Sequence, residues 1–140
     1  MTWTIHKSIP TIPVPDLGAG IEFYRRLGFA LDWKYPDPAP THAGLMLGST
    51  SIMLSECNPF ERCEVYFIVD DVDACHAAIL AAEPWTLVEA AAALAKMDDC
   101  PPRQALVAPE APVDKPYGLR DFAVIDPWGN WMSFGQELEA

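Results

Sequence analysis

Apolar positions along this chain switch between a period of two and a period near four, and the switches predict its elements. Residues 9–14, "IPTIPV", are extended, and their prolines, which cannot donate to a ladder, place them at a sheet edge. Leu17, Ile21, Tyr24 and Leu27 then follow helical spacing over 17–27, with Asp16 as the N-terminal cap and Gly28 as the stop. Glu22, Arg25 and Arg26 fall on the opposite, polar face. From Phe29 the period drops to two: Phe29, Leu31, Trp33 and Tyr35 alternate with Ala30, Asp32 and Lys34, as on a half-buried strand. "HAGLML" and "SIMLSE", separated by Gly48-Ser49-Thr50, read as a hairpin.

The pattern then restarts. "EVYFIV" sets Val65, Phe67 and Val69 on one face and Glu64, Tyr66 and Ile68 on the other. Asp70 or Asp71 caps a second helix in which Val72, His76, Ile79 and Glu83 share a face. "VPDLGAGIEFY" aligns with "VDDVDACHAAI", pairing Asp16 with Asp71, and the closing hairpin "LRDFAVIDPWGNWMSFGQ" matches "HAGLMLGSTSIMLSE". The order strand-helix-strand-strand-strand therefore occurs twice, over 5–60 and 63–138. A stretch at about 86–116 interrupts the second copy: alanine-rich residues 86–97 have helical composition, and the prolines after Cys100 predict a loop with a short strand at 104–108.

Composition narrows the classes. A chain of 140 residues suits one domain with one core. No uncharged apolar run approaches the roughly 20 residues of a membrane helix, and the N-terminus lacks the basic and apolar blocks of an export signal, so a cytoplasmic protein is expected. Cys57, Cys63, Cys75 and Cys100 lack CxxC spacing and are expected as free thiols. Nine basic against twenty acidic residues, a formal charge of −11, argue against nucleic acid as a partner and favour cationic ligands, though acidity also serves solubility.

The doubled βαβββ pattern and the late Asp126-Pro127-Trp128-Gly129-Asn130 turn resemble the vicinal oxygen chelate superfamily, whose members include glyoxalase I, extradiol dioxygenases, fosfomycin-modifying enzymes and bleomycin resistance proteins. Three stretches resemble the bleomycin resistance proteins in particular: "IPTIPVPDLGAGIEFYRRLGFALDW", "HAGLMLGSTSIMLSE" and "KPYGLRDFAVIDPWGN". The last departs from their Pro-aromatic-Gly-Arg-acidic-Phe element by the insertion of Leu119 before Arg120. The resemblance implies an α+β fold in which two tandem βαβββ modules form a curved, open-barrel-like mixed sheet with the ligand on its concave face.

Enzymes of that superfamily hold a divalent metal with His, Gln or Glu from the first and last strands of each module. Alignment on the capping aspartates puts Ile9 and Glu64 at the first-strand positions, the apolar rhythm of the final strands puts Met53 and Ser133 at the other two, and a register error of one residue offers Thr11 or Ser55 instead. One carboxylate is not a ligand set, so neither metal nor cofactor is expected. His6 precedes the first strand and His76 lies on a packing face; His42, opening the third strand, can face the cleft. No serine sits in a nucleophile elbow, no glycine-rich phosphate loop occurs, and the adjacent pairs Asp70-Asp71 and Asp98-Asp99 diverge, so no catalytic residue is assigned.

Binding has better material. The resemblance carries Trp33 and Tyr117 to stacking positions, Asp32 to an acidic neighbour, and His42 and Tyr66 to further contacts, with Glu64 on the face of Tyr66. Trp131 shares the cleft-facing parity of Ser133. The same alternation also suits core packing; Phe122 and Phe134 are expected in the core, and Trp128 at the surface. The expected function is sequestration of a cationic, planar, bleomycin-type antibiotic without turnover, by a homodimer that exchanges an N-terminal strand around Pro10, Pro13 and Pro15. A metal-dependent lyase or dioxygenase of the same fold, and a non-catalytic small-molecule sensor, are the alternatives.

Overall fold

The computed structural model describes residues 2–57, 61–83 and 108–139. Its elements are β1 (Thr11–Val14), α1 (Leu17–Arg26), β2 (Ala30–Tyr35), β3 (His42–Leu47), β4 (Thr50–Glu56), β5 (Glu64–Ile68), α2 (Val72–Ala82), β6 (Val113–Asp114), β7 (Leu119–Ile125) and β8 (Trp131–Glu137). They make an α+β fold of two four-stranded mixed sheets, ordered β1-β4-β3-β2 and β5-β8-β7-β6, which do not close into a barrel. In each sheet the first strand runs parallel to the last, and the remaining pairs are antiparallel.

The two halves repeat in detail. Asp16 accepts from the Ala19 amide at 3.0 Å and Asp71 from the Ala74 amide at 3.0 Å, each supplying a helix with its N-terminal cap. At the end of β4 the Glu56 carboxylate accepts from the Leu17 amide at 2.8 Å, and at the end of β8 the Gln136 amide oxygen accepts from the Val72 amide at 2.9 Å. The last strand of each sheet thus satisfies an otherwise unpaired donor at the start of its own helix.

One apolar core runs through both halves. Ile12, Val14, Ala43, Leu45, Ile52 and Leu54 of the first sheet lie under α1 and are buried, as are Phe122, Val124, Met132 and Phe134 of the second. An aromatic chain joins them: Phe29 to Phe67 at 6.0 Å, Phe67 stacked on Phe134 at 5.3 Å, and Phe134 stacked on Phe122 at 5.4 Å. Such pairs contribute roughly 0.5–1.5 kcal/mol each beyond their burial. His76 closes the chain edge-on to Phe122 at 5.0 Å, on the packing face its spacing predicts.

Two expectations need correction. Leu31, Trp33 and Tyr35 do not share a face, because the β2–β3 register shifts between Leu31 and Trp33: Leu31 opposes core-facing Leu45, whereas Trp33 opposes Gly44 and Tyr35 opposes His42 on the other face. Alternation counted through a bulge assigns the wrong side. Trp128, expected at the surface, is fully buried and meets Phe23 edge-on at 6.2 Å, because the turn that carries it tucks against α1. The helix expected over 86–97 and the strand over 104–108 lie outside the described residues, as does Cys100. The two-residue β6 carries no alternation long enough to register in the sequence.

Candidate functional site

On the second sheet, Phe122 and Val124 point into the core, so the alternate positions Asp121, Ala123 and Ile125 face the other way. Their partners across β7–β8 are Gly135, Ser133 and Trp131, and β5 continues the face with Tyr66 opposite Ser133 and Glu64 opposite Trp131. A cavity of about 610 Å³ lies on this face, lined among others by Tyr66, Glu110, Lys115, Tyr117, Asp121, Trp131 and Ser133. Of the residues singled out in the sequence, Tyr66, Tyr117, Trp131 and Ser133 therefore come together. Glu64 sits beside Trp131 at the strand end but outside the cavity wall.

The floor of the cavity is a hydrogen-bonded cluster that periodicity does not reveal. Gly135 leaves a gap between β5 and β7, and the Tyr66 ring lies across it; a Cβ at position 135 would stand 2.1 Å from the phenol oxygen. Tyr66 Oη donates to Asp121 Oδ2 at 2.8 Å, and Tyr117 Oη, from the turn before β7, donates to the same oxygen. Lys115 Nζ lies 3.4 Å from Asp121 Oδ1. So covered, Asp121 is buried although it points away from the core. Partial burial raises its carboxyl pKa, and the two phenol hydrogen bonds and the Lys115 charge more than offset this, holding it below the usual value. Burial and the bond to Asp121 carry the Tyr66 phenol well above its ordinary value, and the same bond raises Tyr117. The carboxylate stays charged and the phenols stay neutral.

Asp121 and Lys115 were not singled out in the sequence. The available signal was an acid within "LRDFAVI" at cleft-facing parity, opposite a glycine. Arg120, its neighbour, turns the other way, to Asp73 of α2 at 3.0 Å and Asp114 at 3.1 Å.

The corresponding face of the first sheet is simpler. Trp33 approaches Gly44 closely, where a Cβ would stand 2.1 Å from the indole nitrogen, and it is 41% exposed. His42 Nε2 lies 3.3 Å from Ser55 Oγ, and its Nδ1 lies 2.9 Å from Thr41 Oγ1. Asp32 is exposed, at the register shift. Trp33, Asp32 and His42 do not line the second-sheet cavity.

A divalent metal fits these residues poorly. The first and last strands meet at Thr11 with Met53 in one sheet and at Tyr66 with Ser133 in the other, while Ile9 precedes β1. Glu64, the one carboxylate among the expected positions, lies opposite Trp131; one carboxylate with a thioether, two hydroxyls and a phenol already bonded to Asp121 is not the donor set such an ion selects. Among the described residues, no three His, Cys, Asp or Glu side chains come together as ligands. Burial pushes the thiols of Cys63 and Cys75 up to about 11, and the three described cysteines, Cys57, Cys63 and Cys75, are free. No described helix is long and apolar enough to cross a membrane.

Comparison with known proteins agrees with this architecture. No curated protein sequence matches the chain. Among solved structures, the bleomycin-binding protein of bleomycin-producing Streptomyces verticillus, complexed with copper(II)-bleomycin, is similar with a TM-score of 0.66 and 21% identity, over 99% of this chain and 100% of that one. A bleomycin resistance determinant encoded on a transposon gives 0.67 and 18%, over 95% and 98%. Lactoylglutathione lyase from Agrobacterium tumefaciens gives 0.63 and 18%, over 96% and 96%. These identities speak for the fold, which serves both binders and an enzyme. The profile of the Glyoxalase/Bleomycin resistance protein/Dioxygenase superfamily matches residues 8–134, and the chain belongs to that superfamily.

Proposed function

We propose that the protein binds and sequesters a cationic, planar aromatic small molecule of the bleomycin type and does not transform it. The observation that carries this reading is the cavity on the second sheet, where Tyr66, Tyr117 and Trp131 offer ring surface around a fixed polar floor. Rings of this kind stack on flat cations, and the overall charge of −11 draws such ligands in. Similar structures include two proteins described by their binding of, or resistance to, bleomycin.

The active form in this reading is a cytoplasmic homodimer that exchanges its N-terminal arm. In support, residues 2–10 form no helix or strand and expose Trp3, Ile5 and Ile9 next to edge strand β1. Strand β2 is exposed along its length. Apolar surface of this kind is what a partner subunit covers. Trp33, on β2, would then complete the site from the first sheet.

Calorimetric titration of chelator-treated protein with metal-free bleomycin tests the reading. Saturation near one drug per subunit with a micromolar or tighter Kd, about −8 kcal/mol, supports it; absence of saturable heat moves the ligand elsewhere. Trp33→Ala and Tyr117→Ala should each weaken binding about tenfold while leaving the far-UV circular dichroism unchanged. Unchanged affinity in both would remove the proposed site.

A further inference from the structure

We infer that the second-sheet cavity selects ligands by their N–H donors, with Tyr66 and Tyr117 as paired acceptors and Asp121 as the residue that positions them. This deepens the proposal that the cavity binds a planar cation, and rests on it.

A neutral phenol has one proton to donate and lone pairs with which to accept. Both phenols commit that proton to Asp121 Oδ2, and Lys115 occupies the other carboxylate oxygen. Asp121 is therefore satisfied on both oxygens and is not the counter-ion of the ligand. Its effect is on the tyrosines. With their protons turned toward the floor, both oxygens can only accept, and they are held side by side because they converge on one atom.

The other polar groups of the wall are mixed. Glu110 accepts only, Ser133 can do either, and Lys115, already beside Asp121, donates only. A flat ligand whose edge carries amino, amidine or guanidine groups matches two adjacent acceptors. Both tyrosines are exposed in the free protein, so a bound ring takes their oxygens out of water; the same ring with those groups alkylated leaves both oxygens facing carbon, and an acceptor shielded without a partner is costly. Gly135 is the backbone condition for the arrangement, since any side chain there occupies the place of the Tyr66 hydroxyl.

The test uses two planar acridinium dyes: proflavine, with two free amino groups, and acridine orange, in which both are dimethylated. Proflavine should bind the intact protein at least fivefold more tightly, followed by fluorescence. In the Tyr66→Phe/Tyr117→Phe double variant the ratio should fall to near one. A ratio that persists there is steric and overturns the inference. Equal binding of both dyes to the wild type overturns it while leaving the planar-cation proposal standing, and failure of both dyes to bind overturns both. Asp121→Asn provides the readout of positioning. It should lower the preference for proflavine and move tyrosine ionisation, followed by absorbance near 295 nm, to lower pH; an unchanged ionisation profile would overturn the role given to Asp121.

Discussion

The two sheets share strand order, helix caps and end-of-strand contacts, yet they differ in what they bury. Among the described residues, the buried polar or charged side chains are Asp121, Asp126 and Asn130, and all belong to the second sheet and its hairpin. The β3–β4 turn of the first sheet, Gly48 and Ser49, is exposed. At the equivalent β7–β8 turn, Asp126 is fully buried and accepts from the amides of Trp128 at 3.0 Å and Asn130 at 2.8 Å, the Asn130 side chain at 2.7 Å and the Tyr24 hydroxyl at 2.7 Å. Asn130 also donates to the Pro13 carbonyl at 2.7 Å and accepts from the Cys63 amide at 3.0 Å. One hairpin only turns the chain. The other fastens β1, α1 and the approach to β5.

The largest effect should come from breaking that fastening. Asp126→Ala leaves four buried donors without their acceptor and should cost about 4 kcal/mol, as loss of a partner from a buried polar network does. Ser49→Ala in the exposed turn should cost less than about 0.5 kcal/mol. Urea denaturation of the two variants measures the contrast, and similar costs would mean that the turns are equivalent.

Why this asymmetry escaped the sequence is a matter of range. Helix caps, strand alternation and hairpin turns are written within a few residues, and Asp16, Asp71 and the β7–β8 hairpin were legible for that reason. Trp131 was legible because parity along β8 is unbroken, whereas Tyr66 and Tyr117 were reached through the resemblance. Trp128 was misread because its surroundings come from Phe23, distant along the chain. Leu31 was misread because a bulge has no composition of its own. Asp121 escaped because its meaning depends on Tyr66 reaching across Gly135, a contact between three strands that no single strand records.

The same buried carboxyl gives the second hairpin a pH dependence. Burial pushes Asp126 from its ordinary value of 3.8 up to about 6, against four donors that pull it down. A raised folded-state pKa means that the stabilisation is fully present below about pH 4 and is lost as pH rises through about 6. The shift of about two units corresponds to at most about 3 kcal/mol. Urea midpoints should therefore fall between pH 4.5 and 7.5. Tyr24→Phe removes one of the donors opposing the shift and should move the fall to higher pH, which separates Asp126 from the general relief of charge repulsion on acidification. A fall with the same midpoint in both proteins would assign the effect elsewhere.

The smallest contrast sets the two ring-bearing glycines against each other. Gly44 makes room for Trp33 on the first sheet and Gly135 makes room for Tyr66 on the second, each with a would-be Cβ 2.1 Å from the ring-bearing side chain. Alanine at either position must displace the aromatic, but the consequences differ. Trp33 is exposed and can swing into solvent, so Gly44→Ala should cost under about 1 kcal/mol, with the better strand propensity of alanine offsetting part of the loss. Tyr66 is as exposed as Trp33 but cannot leave without breaking its bond to the buried Asp121, so Gly135→Ala should cost about 1–2 kcal/mol. The dye ratio separates them again: Gly135→Ala should abolish the preference for proflavine, whereas Gly44→Ala should weaken both dyes alike. If Gly44→Ala alone erased the preference, the acceptors that read the ligand would lie on the first sheet, and the polarity of the second-sheet cavity would have to be explained by folding alone.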